Sequence, residues 1–231
     1  MIGGFLEISV GCDDIPASIS FYETLGFRQL STGDLLAHPY AVVSDGRAHI
    51  GLHAQPPDSP ILTYVLHDLA SAVPRLKNSG IECVSEKLSD YEFNQATFVD
   101  PDGQAVCLLE ARTFSPASFT EDGFSLLGDF TEFSMPVRDI EIAIRFWEPL
   151  GFVAVDRQES SATLASERLN IGVYADARMR GPELCFSVTN IDETLSLVET
   201  RGVETSPVRA GRAVISSPEG LAIVLSEAGE S

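Results

Sequence analysis

The sequence predicts an α+β chain made by tandem duplication, each half holding two copies of a strand, helix, three-strand module (βαβββ). Three observations carry this. The segment ISFYETLGF at 19–27 returns as IRFWEPLGF at 144–152, and self-similarity at a fixed offset marks duplication. Residues 7–27 and 132–152, aligned at that offset, share 10 of 21 positions. Further pairs follow in the same order: HIGLHA with NIGVYA, and DPDGQAVCLLE with SPEGLAIVLSE. The expected domains are 1–112 and 126–231, joined by a linker at 113–125. That linker has no period, is rich in Ser, Thr, Pro and Gly, and carries Phe114, Phe119 and Phe124, which favour packing on a domain surface over swinging in water.

The elements follow in order. FLEISV alternates as a half-buried strand, with Leu6, Ile8 and Val10 on one face and Phe5, Glu7 and Ser9 on the other. Asp14 caps a helix whose apolar residues Ile15, Ile19 and Tyr22 recur at helical spacing, and Gly26 ends it. Short strands are expected around 27–30 and 40–43, then a Ser44-Asp45-Gly46 turn and the strand AHIGLHA. The second module opens with ILTYVL, runs a helix from about Asp68 to Asn78, and closes with the hairpin FVDPDGQAVCLL. The second half repeats the series, so Phe21 and Tyr22 correspond to Phe146 and Trp147, all four expected in the core.

Composition narrows the function classes. The 231 residues are 44% hydrophobic with a net charge of -19, as in an ordinary globular protein that repels nucleic acid and acidic membranes. A neutral, zwitterionic or cationic small molecule is the expected partner. The N-terminus has no basic start or apolar run of a leader, which predicts a cytoplasmic protein. Cys12, Cys83, Cys107 and Cys185 form no CxxC pair, so neither a zinc knuckle nor a disulfide framework is indicated. Hydrolase elbows, P-loops, GxGxxG turns and HExxH helices are absent from the sequence.

Asp14-Ile15, Phe21-Tyr22, Leu25-Gly26-Phe27 and the DPDG turn before the closing strand together resemble the vicinal oxygen chelate superfamily, which includes glyoxalase I, bleomycin-resistance proteins and extradiol dioxygenases. The resemblance covers nearly the whole chain, twice. It implies curled mixed sheets, each cupping a small-molecule cavity with helices outside, and either a binding protein or an enzyme of the glyoxalase-type lyase or ring-cleaving extradiol dioxygenase kind. The positions expected to face the cups include Glu7, Ser9, His49, His53, Thr63 and Cys107 in the first half. In the second they include Glu132, Ser134, Tyr174, Glu183 and Cys185. These form the predicted ligand-binding set.

Metal-using relatives take ligands from positions that, by the resemblance, correspond here to Glu7, Gly51, Ile61 and Cys107, and to Glu132, Gly172, Glu183 and Val224. Transition metals want about three ligands, commonly including imidazole, and all four histidines, His38, His49, His53 and His67, stand in the first half. The expectation is therefore a degenerate metal site and no cofactor. The alternative is a divalent metal held by Glu7 and His53 in a shifted site. Glu132 and Glu183 are expected to approach each other with no Lys or Arg to offset them. Oligomeric state is expected to be a monomer by internal pseudo-dimer, or a homodimer.

Overall fold

The computed structural model describes residues 2–32, 38–54, 60–89, 94–111 and 124–227. Each sequence half forms one hydrogen-bonded mixed sheet. The first module consists of β1 (Gly4–Gly11), α1 (Ile15–Thr24), β2 (Arg28–Leu30), β3 (Tyr40–Ser44) and β4 (His49–His53). The second consists of β5 (Ile61–Leu66), α2 (Leu69–Asn78), β6 (Cys83–Lys87), β7 (Gln95–Val99) and β8 (Ala105–Glu110). Their eight strands run in the order β2-β3-β4-β1-β5-β8-β7-β6.

The third module has β9 (Asp129–Pro136), α3 (Ile140–Trp147), β10 (Val153–Arg157), β11 (Ser161–Ala165) and β12 (Asn170–Tyr174). The fourth has β13 (Glu183–Val188), α4 (Ile191–Thr200), β14 (Arg212–Ser216) and β15 (Ala222–Glu227). Seven strands follow the order β10-β11-β12-β9-β13-β15-β14. The parallel pairs β5/β8 and β13/β15 lie at corresponding places in the two sheets. This is the tandem α+β fold that the repeat implies.

Local chemistry explains the boundaries. Asp14 accepts from the Ala17 amide at 3.0 Å, Asp68 from Ser71 at 2.9 Å, Asp139 from Ile142 at 2.9 Å and Asn190 from Glu193 at 3.0 Å, so α1 to α4 each start on a side-chain cap. Gly3 and Gly128 stand at repeat-related places just before β1 and β9, both at positive φ. A Cβ on Gly128 would fall on the Ser187 carbonyl, and one on Gly3 on that of Val65, so only glycine lets the first strand approach its neighbour there.

Two details depart from the sequence pattern. β9 carries a bulge that pairs Cys185 with Glu132 but Phe186 with Phe130, leaving Thr131 over. Phe130 therefore packs edge-on against Phe186, with ring centroids 5.4 Å apart, on the helix-covered side, while Thr131 is exposed. In β1, likewise, Phe5 meets Tyr64 edge-on at 5.4 Å and Leu6 packs with Val65, Cys107 and Leu109, so Phe5 and Leu6 exchange the faces that simple alternation assigns them.

The fourth module has two strands after its helix, not three. Residues 203–208 follow β14 through one main-chain bond, Ser206 to the Val214 carbonyl at 2.9 Å, and through the Ser206 hydroxyl accepting from the Val214 amide at 2.7 Å. Pro207 offers no N–H to continue a ladder.

Packing density groups the modules differently from the sheets. One compact unit comprises Met1–Ile8, Asp58–Ala117 and Met135–Gly181, and the other Ser9–Pro57, Ser118–Ser134 and Pro182–Ser231. The first joins the second and third modules. Phe98 approaches Phe146 at 6.1 Å, Phe146 and Phe152 both pack edge-on against Trp147, and Arg138 binds Asp102 at 2.7 Å. The second unit joins the first and fourth modules: Phe27 meets Phe186 at 6.3 Å, and the Tyr22 hydroxyl donates to Glu219 at 3.3 Å. Tyr22 and Trp147 are fully buried core residues, whereas Phe21 and Phe146 are half-buried. Most of the expected linker lies outside the described residues. Its end is seen, with Phe124 bonded through its amide to the Asp45 carbonyl at 2.8 Å and its ring under Arg28.

Candidate functional site

The helix-free faces of the two sheets differ in openness. In the first sheet Glu7, Ser9, His49, His53, Thr63 and Cys107 are all buried, Glu7 to 3% exposure. In the second, Glu132 and Ser134 are buried, while Tyr174, Glu183 and Cys185 keep partial exposure. Of these expected cup residues, the ones that keep partial exposure stand on the second sheet.

Those groups are placed by strand register in the second unit. β13 sets Glu183 opposite Ser134 and Cys185 opposite Glu132. The Ser134 hydroxyl donates to Glu132 Oε1 at 2.8 Å, and its oxygen lies 3.1 Å from Cys185 Sγ. Burial first, and then the Glu132 carboxylate, push the Cys185 thiol up to about 11, so at neutral pH it keeps its proton and donates it to Ser134. The order is thiol to hydroxyl to carboxylate. Beside it, Arg212 on β14 donates through Nη2 to Glu183 Oε2 at 2.8 Å. The expectation of two unoffset carboxylates is corrected: β14, the edge strand two places from β13, brings Arg212 onto Glu183, a partner 29 residues away in sequence.

The first unit holds a related set. Thr63 and Thr97 flank Cys107 on β5 and β7. Burial, reinforced by Glu7, raises the Cys107 thiol to about 11. Neither thiol is poised as a thiolate nucleophile. Tyr174 lies in the first unit, half-buried at the end of β12. His53, in the second unit, faces His38, with 3.0 Å between Nε2 of His38 and Nδ1 of His53, and Tyr40 stacks on the His53 ring at 5.8 Å. Glu7 and His53, the pair considered for a shifted metal site, belong to different compact units. His67 is exposed and bonded to the Ala111 carbonyl.

The positions that the resemblance would assign to a metal do not hold a fitting donor set. Glycine or an aliphatic residue stands at Gly51, Ile61, Gly172 and Val224. Glu183 is engaged by Arg212, and Glu132 by Ser134. No three His, Cys, Asp or Glu side chains converge among the described residues. Three clefts of about 510, 500 and 430 Å³ lie elsewhere: between Phe21 and residues 202–206, at the start of α1, and at the start of α3. Sequence reasoning missed Arg212, because its role depends on strand order. Among the described residues no helix is long and apolar enough to cross a membrane.

Comparison with known proteins agrees with this architecture. The 2,3-dioxygenase LapB from Pseudomonas sp. KL28 is similar over 100% of this chain and 94% of its own, at 14% identity and a TM-score of 0.64. The Mn(II)-bound glyoxalase from Novosphingobium aromaticivorans is similar over 97% of this chain and 81% of its own, at 15% identity and a TM-score of 0.62. A catechol 2,3-dioxygenase covers 97% and 87%, at 15% identity and a TM-score of 0.60. At such identities the likeness concerns fold. No curated protein matches the sequence. The family model described as Glyoxalase/Bleomycin resistance protein/Dioxygenase superfamily matches residues 4–108, and the strand order of that half is repeated in the second, in line with the fold shared with these structures.

Proposed function

We propose that the protein binds a small, multiply hydroxylated or cationic organic molecule on the open polar face of the second sheet, without a transition metal at the family positions. The observation that carries this reading is the chain Cys185, Ser134, Glu132 beside the pair Glu183 and Arg212. Polar side chains in a half-buried sheet face cost desolvation and are satisfied here by one another. Arranged as adjoining donor and acceptor, they suit a ligand with several hydroxyls, or a cation seated against the carboxylates. The protonated thiols and the bonded serine leave no group in this set primed as nucleophile. We infer a cytoplasmic protein, a monomer by internal pseudo-dimer or a homodimer, with 1–112 and 126–231 as its inherited domains.

Thermal-shift screening of the full chain against polyols, catechols, amino sugars and quaternary amines tests the reading. Compounds that stabilise the parent should lose most of their effect in Glu132→Gln and Arg212→Met. Undiminished stabilisation in both variants would place binding elsewhere. The second reading, a metal-dependent lyase or ring-cleaving dioxygenase, draws on what the structurally similar proteins are named for. Stoichiometric manganese or iron in the purified protein, lost on Glu7→Gln or His53→Ala, would establish it instead.

A further inference from the structure

We propose that the cleft beside Phe21 in the second compact unit binds an aromatic ring carrying a positively charged amino group, at a site separate from the polar sheet face. The two units are built alike at this point, and the first shows what the second lacks. In the first, Phe146 of α3 receives the ring of Phe98 from β7, with centroids 6.1 Å apart. Phe21 is the repeat counterpart of Phe146, and β14 corresponds to β7, with Ile215 opposite Ile223 as Phe98 is opposite Val106. Isoleucine stands where the second ring would come from. Among the described residues Phe21 meets one aromatic ring, that of its helix neighbour Tyr22 at 5.2 Å. It stays half-buried, and beside it lies the cleft of about 510 Å³.

The walls specify the ligand. Phe21, Val203 and Val214 give an apolar side, and Glu204 with the hydroxyl-bearing Ser206 and Ser216 a polar one. A cleft of that volume accepts a ring with a short side chain. Seated on Phe21 as Phe98 sits against Phe146, the ring gains both burial and the edge or offset contact that aromatic pairs favour. The sign of the charge follows from what surrounds the cleft. Thr205, also in the lining, donates its hydroxyl to Glu199 at 2.5 Å, which sets a second carboxylate near Glu204. Arg201 is engaged at the Thr24 carbonyl, 3.2 Å away, and among the described residues no Lys or Arg lines the cleft. An acid is repelled here and an ammonium attracted, the more so in a chain of net charge -19.

Titration of the isotope-labelled full chain with phenethylamine, followed by amide chemical shifts in NMR, tests the proposal. Saturable shifts are expected at residues 202–206, Val214 and Ser216. Propylamine, which lacks the ring, and phenylpropionate, which carries the opposite charge, should each bind about tenfold more weakly or worse. Ile215→Phe installs the residue of the first unit in the ring's place and should weaken phenethylamine by about tenfold or more. Phe21→Ala removes the platform and should cost about tenfold. Phe21 is only half-buried, and its variant carries the test even if Ile215→Phe misfolds. Shifts confined to 132–134 and 183–185 would move the amine onto the sheet face and overturn the cleft while leaving that face as a binding site. Absence of saturable shifts, equal affinity for phenylpropionate, or full affinity in Phe21→Ala would also overturn it.

Discussion

Ser134→Ala removes the hydroxyl that links a buried carboxylate to a half-buried thiol, and its cost can be worked from the geometry. The Ser134 hydroxyl lies 2.8 Å from Glu132 Oε1. Glu132 is 8% exposed and Ser134 1%, so little water reaches the bond. Hydrogen bonds to charged groups contribute about 1.5–3 kcal/mol net. The thiol of Cys185 also loses its acceptor, a weaker bond that adds little. The removed oxygen is small and the cavity term is minor. The variant should therefore lose about 1.5–3 kcal/mol in urea unfolding followed by circular dichroism, as a lower midpoint at unchanged m. In a Glu132→Gln background the acceptor is neutral, and the same substitution should cost only about 1 kcal/mol. A cost below about 0.5 kcal/mol, or one equal in both backgrounds, would refute the assignment of Ser134 as donor to the Glu132 carboxylate.

Two further outcomes are expected. Cys107 and Cys185 are both raised from 9.0 to about 11, chiefly by burial; a folded value above the unfolded one contributes stability that is complete below pH 9 and lost as pH rises from 9 through 11. Unfolding free energies at pH 8 and 10.5 should show this loss, and it should be smaller in the Cys107→Ala, Cys185→Ala double variant, with Tyr22 and Tyr64, also raised by burial, accounting for part of what remains. Gly128→Ala places a Cβ on the Ser187 carbonyl at positive φ and should cost about 2–4 kcal/mol. Gly211→Ala, at similar φ with nothing within 4 Å, should cost about 1 kcal/mol, and equal midpoints for the two would exclude the close approach as the reason for glycine at 128.

What was legible in the sequence was whatever local chemistry decides. Asp14 and Gly26 bound α1 because a carboxylate cap and a positive-φ glycine act over three or four residues. The burial of Tyr22 and Trp147 follows from helical period. The β9 bulge was not legible, since one extra residue shifts the faces of Phe130 and Thr131 without leaving a mark in composition. The missing strand of the fourth module turns on Pro207 and on Ser206 answering β14 with its side chain, visible only once β14 is in place. Arg212 reads as a surface cation until strand order sets it against Glu183.

The pairing of modules was beyond local pattern, and it predicts how the halves behave when parted. The repeat suggests cutting between 112 and 126, yet each compact unit takes one module from each half. Tyr22 and Phe27 are buried against the fourth module, through Glu219 and Phe186. Phe98 is buried against Phe146 of the third, and Asp102 is paired with Arg138. A free first half would expose these aromatic faces, at about 1.5–3 kcal/mol for each large side chain fully exposed. Three of them rival the 5–15 kcal/mol by which a domain is typically stable. Residues 1–112 expressed alone should therefore be unfolded or self-associated in sedimentation, and mixing with residues 113–231 should recover a 1:1 complex with the cooperative melt of the intact chain. A monomeric 1–112 fragment melting as cooperatively and at as high a temperature as the full chain would show that contacts between modules of different halves contribute little, and that the inherited domain is also the stable one.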